Sequence, residues 1–128
     1  MAPYKDRQRG RFGDLPRPGY QTIYAVQLTN GWVKVGCSYT LQSRFSLLAN
    51  EMQRLHGADI ADIHYGEHIE GFRHHQFAEH TLIKRMHQLA APLVGHVEFF
   101  DGVDFDDAKN LVDEISKFAL RAKTAEAA

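Results

Sequence analysis

The feature that most restricts the fold is a pair of β-rich runs, residues 22–28 (TIYAVQL) and 32–37 (WVKVGC), joined by Thr29-Asn30-Gly31. Asn-Gly between two such runs is a strong local signal for a β-hairpin. The sequence therefore predicts an antiparallel pair of strands at the front of the domain. The turn can hold two or three residues, and the two forms differ in which side chains share a face of the sheet.

Five further elements are predicted after the hairpin. In the order helix, strand, helix, short strand or tight turn, helix, they cover residues 40–56, 58–69, 71–90, 96–100 and a segment that starts near Asp104. The helices are indicated by apolar residues at spacings of three and four, and Asp104 is a good N-cap. We expect an α+β fold, a small three-stranded antiparallel sheet flanked by helices in the order β-β-α-β-α-(β)-α.

Composition limits the class of protein. The chain has 128 residues, 44% of them hydrophobic, which suits one domain with a real core. No apolar run approaches the roughly 20 residues that span a bilayer, and no signal-peptide core stands at the N-terminus. The single cysteine, Cys37, excludes an internal disulfide framework. We expect a soluble, cytoplasmic protein without a membrane partner.

Charge is unevenly distributed along the chain. Residues 1–21 contain five basic and two acidic side chains, a local charge of +3, whereas residues 98–114 contain seven acidic and one basic, a local charge of −6. Residues 1–21 are also rich in Arg, Gly and Pro, so we interpret them as a flexible basic arm before a single domain at residues 22–124. The arm either contacts a DNA backbone or is a disordered leader without a partner.

Glu79 is an acidic residue within an apolar arc of the second predicted helix. On a helical wheel, Ala78, Leu82, Met86 and Leu89 define that arc, and Glu79 falls inside it. Burying a carboxylate is costly unless it has a partner. Glu79 therefore binds a cation, pairs with an arginine, or lies along the rim with its head in water.

Arg44 lies beside the apolar stripe of the first predicted helix and should project near the sheet edge. A guanidinium placed there can bind a phosphate through two parallel hydrogen bonds. The alternative is an ordinary arginine that flanks the stripe. The eight histidines of the chain lack a usual zinc-ligand spacing, and no triad that would activate Cys37 can be found.

The order and spacing of these residues resemble the GIY-YIG nuclease superfamily. The chain looks most like the phage and mobile-element branch, whose second motif reads Lys-Ile-Gly. The resemblance spans about residues 22–100, and the matching segments are, in order, Thr22-Ile23-Tyr24, Lys34-Val35-Gly36, Arg44, Ala78-Glu79 and Glu98-Phe99-Phe100. The chain departs from the family pattern at Thr22, where the family has glycine, and at Leu48, where a histidine or tyrosine is frequent.

The resemblance implies an endonuclease that hydrolyses DNA phosphodiester bonds with one divalent cation, Mg²⁺ or Mn²⁺. Glu79 would bind the cation, Arg44 would neutralise charge on the phosphate, and Tyr24 and Lys34 would position or deprotonate the attacking water. Tyr39 and His56 are weaker auxiliary candidates. The alternatives are a catalytically silent DNA-binding module on the same scaffold, and a protein-interaction domain that uses the acidic last helix.

The resemblance also decides between the two forms of the hairpin. Tyr24 and Lys34 can share a site only if they face the same side of the sheet. A two-residue turn pairs residue 27 with residue 34 and separates them, whereas a three-residue loop pairs residue 26 with residue 34 and brings them together. We therefore predict the three-residue loop, a type I turn followed by Gly31 at positive φ.

Overall fold

A computed structural model describes residues 7–10, 12–16, 18–19, 21–69, 72–93 and 97–127. A small two-stranded sheet precedes the main one and pairs two short antiparallel strands, β1 (Arg7–Gly10) and β2 (Gly13–Pro16). The main sheet has four antiparallel strands in the order β5-β3-β4-β6, namely β5 (Ile60–Tyr65), β3 (Thr22–Leu28), β4 (Val33–Ser38) and β6 (Phe99–Phe100). Three helices complete the fold: α1 (Leu41–His56), α2 (Phe72–Leu89) and α3 (Phe105–Ala127).

The predicted α+β class and the order of the elements are confirmed. The main sheet has four strands rather than three, because the segment predicted as a short strand or tight turn is a strand that pairs with β4 through Val33–Phe100 and Lys34–Phe99. Asp104 is the predicted N-cap, since its carboxylate accepts a hydrogen bond from the Asp106 backbone N–H at 2.8 Å. Residues 71 and 96, which bounded two predicted elements, lie outside the described residues.

The hairpin between β3 and β4 has the predicted three-residue loop. Val26 pairs with Lys34, and the Leu28 N–H donates to the Trp32 carbonyl at 2.9 Å. The Gly31 N–H donates to the Leu28 carbonyl, and Gly31 has a φ of 90°. Only glycine adopts that φ without strain. Gly31 therefore allows the three-residue loop, and the loop length sets the register of the two strands.

Both faces of the main sheet are covered, which explains why β3 is buried along nearly its whole length. Tyr24, Val26 and Leu28 belong to the core cluster on the α1 face. Ile23 and Ala25, which alternate with them, belong to the cluster formed with α2 and α3 on the other face. The site residues of β3 and β4 therefore lie on the α1 side of the sheet, because Tyr24 and Lys34 have the same parity in the register.

The interpretation of residues 1–21 as a flexible arm is wrong for the part that the structure describes. Residues 7–16 contain the β1–β2 hairpin, and Leu15 is 1% exposed in the core on the α1 face. The Phe12 ring lies edge-on to Phe45 of α1, with 5.9 Å between ring centroids. The sequence signal is weak because each strand has four residues, and packing against α1 supplies what the local pattern lacks. Lys5, Arg11 and Arg17 lie outside the described residues.

Of the helices in the described residues, none combines the length and the apolar character needed to cross a membrane.

Candidate active site

Tyr24 and Gly36 are directly opposed in the β3–β4 pair, and the tyrosine ring lies across the glycine. A Cβ atom at position 36 would be 2.6 Å from the Tyr24 hydroxyl and 2.9 Å from the ring carbon that carries it. Tyr24 is 1% exposed and also packs edge-on against Phe45, with 5.1 Å between ring centroids. The glycine of the Lys-Val-Gly segment is therefore required by the position of the Tyr24 side chain.

Lys34 lies beside Tyr24, as the predicted register requires. Its ammonium nitrogen is 5.6 Å from the centre of the Tyr24 ring, and its side chain is 10% exposed. The ammonium group forms an ion pair with Glu98 and donates a hydrogen bond to the Val35 carbonyl at 3.1 Å. Glu98 directly precedes β6, so the pairing of β6 with β4 brings a counter-ion to Lys34. A carboxylate beside the ammonium stabilises its positive charge.

The role of Glu98 was missed in the sequence. Its only signal was its place in the Glu-Phe-Phe segment, and 64 residues separate it from Lys34. A contact over that separation depends on the pairing of two strands, which no local pattern encodes.

Glu79 of α2 and Arg44 of α1 face one cavity of about 250 Å³, here called the Glu79 cavity. It lies where β3 begins and β4 ends, and its lining residues are Gln21, Cys37, Ser38, Tyr39, Thr40, Arg44, His75 and Glu79. Among the described residues, neither Glu79 nor Arg44 uses its side chain for a hydrogen bond or an ion pair. The described residues therefore do not contain the ion pair between Glu79 and an arginine that was one of the predicted alternatives. The Glu79 carboxylate and the Arg44 guanidinium are both available to one ligand.

Arg44 also lines a second cavity, of about 480 Å³, between α1 and the β4–β6 edge. We call it the α1 cleft, and its lining residues are Lys34, Arg44, Leu47, Leu48, Asn50, Glu51, Arg54 and Phe99. The two cavities adjoin at Arg44. Lys34 and Arg44 thus line the α1 cleft, Arg44 and Glu79 line the Glu79 cavity, and Tyr24 lies beside Lys34.

Burial raises the pKa of Tyr24 above its ordinary value of 10.0. The charges of Lys34 and Arg44 act in the opposite direction without cancelling the effect of burial. The phenol is therefore protonated at neutral pH. It can donate a hydrogen bond and accept one, but it is not a resident phenolate.

The Cys37 thiol lies in the Glu79 cavity and has a pKa raised from 9.0 to about 12. Burial is the main cause and the negative charge of Glu79 is the second. Its sulfur is 3.4 Å from the side-chain oxygen of Gln21. At neutral pH the thiol is protonated, which makes it a poor nucleophile.

The two auxiliary candidates differ in position. Tyr39 lines the Glu79 cavity and is 56% exposed. His56 lies at the far end of α1 and packs edge-on against Trp32, with 4.8 Å between ring centroids. His75, one helical turn before Glu79, is a cavity residue that the sequence analysis missed, although its spacing of four from Glu79 was the available signal.

The cavity suits a cation that keeps most of its water. No group of three or more His, Cys, Asp and Glu side chains that could hold a metal occurs within the described ranges. Mg²⁺ uses one or two protein carboxylates and retains several waters. Glu79 supplies one unpaired carboxylate, the hydroxyls of Ser38 and Thr40 lie in the same lining, and 250 Å³ leaves room for water. The donor set therefore fits Mg²⁺ and does not resemble a structural zinc centre.

No family model, no curated protein and no solved structure matches this chain. We therefore infer the function from the geometry of the Glu79 cavity and the α1 cleft.

Proposed function

We propose that this chain is a metal-dependent endonuclease that hydrolyses DNA phosphodiester bonds with Mg²⁺ or Mn²⁺. The observation that carries the proposal is that Glu79 and Arg44, both without ion pairs among the described residues, share one cavity, and that Arg44 also lines the α1 cleft together with Lys34. A carboxylate for a cation and a guanidinium for a phosphate are the two charges that phosphodiester hydrolysis requires. The GIY-YIG resemblance assigns the same residues.

Each residue has a role that follows from its surroundings. A cation held by Glu79 would polarise the phosphate, acidify water and stabilise the departing 3′ oxygen. Arg44 would donate two hydrogen bonds to the phosphate and neutralise the charge that develops on it. Arg44 lines both cavities, so a DNA strand bound there would place its scissile phosphate between them.

Tyr24 and Lys34 act by position and charge in this proposal. Because burial raises the pKa of Tyr24, its neutral phenol would orient the attacking water through hydrogen bonds. Lys34 has Glu98 as its counter-ion, so its part is to supply positive charge beside the phenol. The ion pair therefore favours an electrostatic role for Lys34 over that of general base.

The decisive experiment is nicking of supercoiled plasmid with and without Mg²⁺. We expect Glu79→Ala and Glu79→Gln to abolish Mg²⁺-dependent nicking and to leave folding and DNA affinity nearly unchanged, because a metal ligand is lost from a partly buried site. Glu114→Gln is the matched control, since Glu114 is an exposed carboxylate of α3 whose partner is Arg85. Nicking by the Glu79 variants at the wild-type rate would refute the metal assignment.

The second candidate function is a catalytically silent DNA-binding module. The apolar Leu48, which is 5% exposed where the family often has histidine or tyrosine, favours it. Such a module would bind DNA with a strong dependence on salt and would not nick plasmid at any Mg²⁺ concentration. A protein-interaction domain would show neither property.

A further inference from the structure

The α1 cleft combines positive charge with apolar surface. Three basic side chains, those of Lys34, Arg44 and Arg54, line it together with one acidic side chain, that of Glu51. Leu47, which is 67% exposed, the buried Leu48 and the partly buried Phe99 supply its apolar walls. Its volume of about 480 Å³ lies within the roughly 300–1,000 Å³ usual for small-ligand sites.

This lining matches the parts of a nucleotide. Arg44 and Arg54 can bind phosphate oxygens, and Phe99 and Leu47 offer surface to a base. The exposed side chain of Asn50 carries both a donor and an acceptor, which is what the edge of a base requires. Asn50 and Arg54 are one helical turn apart on α1, so the amide and the guanidinium lie on the same side of the helix.

A base inside a duplex cannot use such a cleft. Its faces are covered by neighbouring bases and its Watson–Crick edge is paired, so it must leave the stack to contact apolar walls and an amide. We propose that the α1 cleft binds an unpaired nucleotide next to the scissile phosphate, and that the substrate class is single-stranded or locally unpaired DNA. This inference rests on the proposed function, because the phosphate at Arg44 links the cleft to the Glu79 cavity.

Binding without divalent metal tests the cleft separately from hydrolysis. The probe is a short fluorescently labelled deoxyoligonucleotide, single-stranded or annealed to its complement, with anisotropy as the readout. We expect the wild type to bind the single strand more tightly than the duplex. Phe99→Leu, which keeps an apolar side chain but removes the ring, should weaken single-strand binding by about 5- to 150-fold, the range for losing one stacked base.

Arg54→Gln provides a second variant, at an exposed position of α1. It should weaken binding and reduce the slope of log affinity against log salt by about 0.7, the value for one phosphate contact on a single strand. The matched control is Arg85→Gln, because Arg85 lies on α2 and pairs with Glu114 of α3, on the opposite face of the sheet. The control should bind like the wild type.

Three results would overturn the inference. They are duplex binding as tight as single-strand binding, wild-type affinity in both Phe99→Leu and Arg54→Gln, and competition by a deoxynucleoside 5′-monophosphate as effective as that by the oligonucleotide. The last result would assign the cleft to free nucleotides. If the predicted binding differences occur but Mg²⁺ supports cleavage of neither the plasmid nor the single-stranded oligonucleotide, the nucleotide subsite stands and the proposed hydrolysis fails. If nicking depends on Glu79 but the protein shows no preference for single strands, the proposed hydrolysis stands and the nucleotide subsite fails.

Discussion

Arg44 is exposed to solvent, yet it lines both the Glu79 cavity and the α1 cleft. A planar guanidinium can hold a phosphate through two parallel hydrogen bonds, whereas a lysine ammonium acts as a point charge. We expect Arg44→Ala to lower the rate of plasmid nicking by about 10²–10³-fold, the range for losing one donor to a developing charge. Arg44→Lys should recover little of that rate. Arg85→Lys is the control, and an equal loss there would remove Arg44 from the site.

The alkylation rate of Cys37 reports on the charge of Glu79. The rate can be assigned to this thiol because the chain has no other cysteine. Burial, and then the Glu79 carboxylate, raise the pKa of the thiol to about 12. Only the thiolate is alkylated at an appreciable rate. Glu79→Gln should therefore lower the pKa and speed alkylation at mildly alkaline pH. Mg²⁺ should have the same effect in the wild type and none in Glu79→Gln, and an Mg²⁺-independent rate in both proteins would contradict cation binding at Glu79.

The same pKa shift predicts the sign of a stability change. The folded-state pKa of Cys37 lies above the ordinary value of 9.0, so the native state holds the proton more tightly than the unfolded state does. The resulting stability is complete below pH 9 and is lost as pH rises towards 12. Urea unfolding should show that Cys37→Ala loses less free energy over this interval than the wild type does. Equal losses of unfolding free energy in Cys37→Ala and the wild type would indicate that the Cys37 thiol is in contact with solvent.

At the scale of elements, local signals predicted the β3–β4 hairpin, and its register followed from the requirement of the resemblance that Tyr24 and Lys34 share a face of the sheet. The segment Thr29-Asn30-Gly31 indicates a turn from the local sequence, and Gly31 supplies the positive φ that a three-residue loop needs. The β1–β2 hairpin could not be predicted in this way, because it is stabilised by the distant contacts of Phe12 and Leu15 with the α1 face. Tertiary contacts override a weak local pattern there.

The docked β1–β2 hairpin changes what a truncation would do. Removing residues 1–16 deletes Leu15 from the core, so the free energy of unfolding should fall. Leu15→Ala alone should cost about 2–5 kcal/mol in urea denaturation. The basic charge of this segment is tested instead by replacing Arg7 and Arg9 with glutamine, which should flatten the salt dependence of DNA binding, with urea denaturation as the check on folding. If the slope of log affinity against log salt is unchanged, the segment has only a structural role.

At the scale of the whole molecule, the candidate site is made by the junction of layers. Tyr24 and Lys34 come from the sheet, Arg44 from the layer above it and Glu79 from the layer below. The sequence singled out Arg44 and Glu79, because a charge beside or within an apolar stripe is visible on a helical wheel, whereas Tyr24 and Lys34 were chosen through the GIY-YIG resemblance. It could not show that Arg44 and Glu79 share a cavity or that Glu98 reaches Lys34, since both facts depend on how distant elements pack.

The layer below the sheet is held in place by a close contact between Gly66, directly after β5, and α3. A Cβ atom at position 66 would overlap the Ser116 hydroxyl, lie 2.9 Å from the Ser116 Cβ and lie 3.3 Å from a Val112 methyl carbon. Ser116 is 1% exposed and its hydroxyl donates to the Val112 carbonyl, so it cannot turn aside freely. Gly66→Ala should therefore force α3 away from the sheet.

We expect Gly66→Ala to reduce the free energy of unfolding by about 1–3 kcal/mol, the usual cost of overpacking a core. Ser116→Gly removes both overlapping atoms but places glycine inside a helix, at a cost of about 1 kcal/mol. The double variant should be more stable than the sum of the two single losses predicts, and Ser116→Ala should rescue less because it keeps the Cβ. Urea denaturation of the wild type, the three single variants and the two double variants measures both couplings. Strictly additive losses would mean that α3 does not pack on the end of β5, and the position of α2 and Glu79 would then need another support.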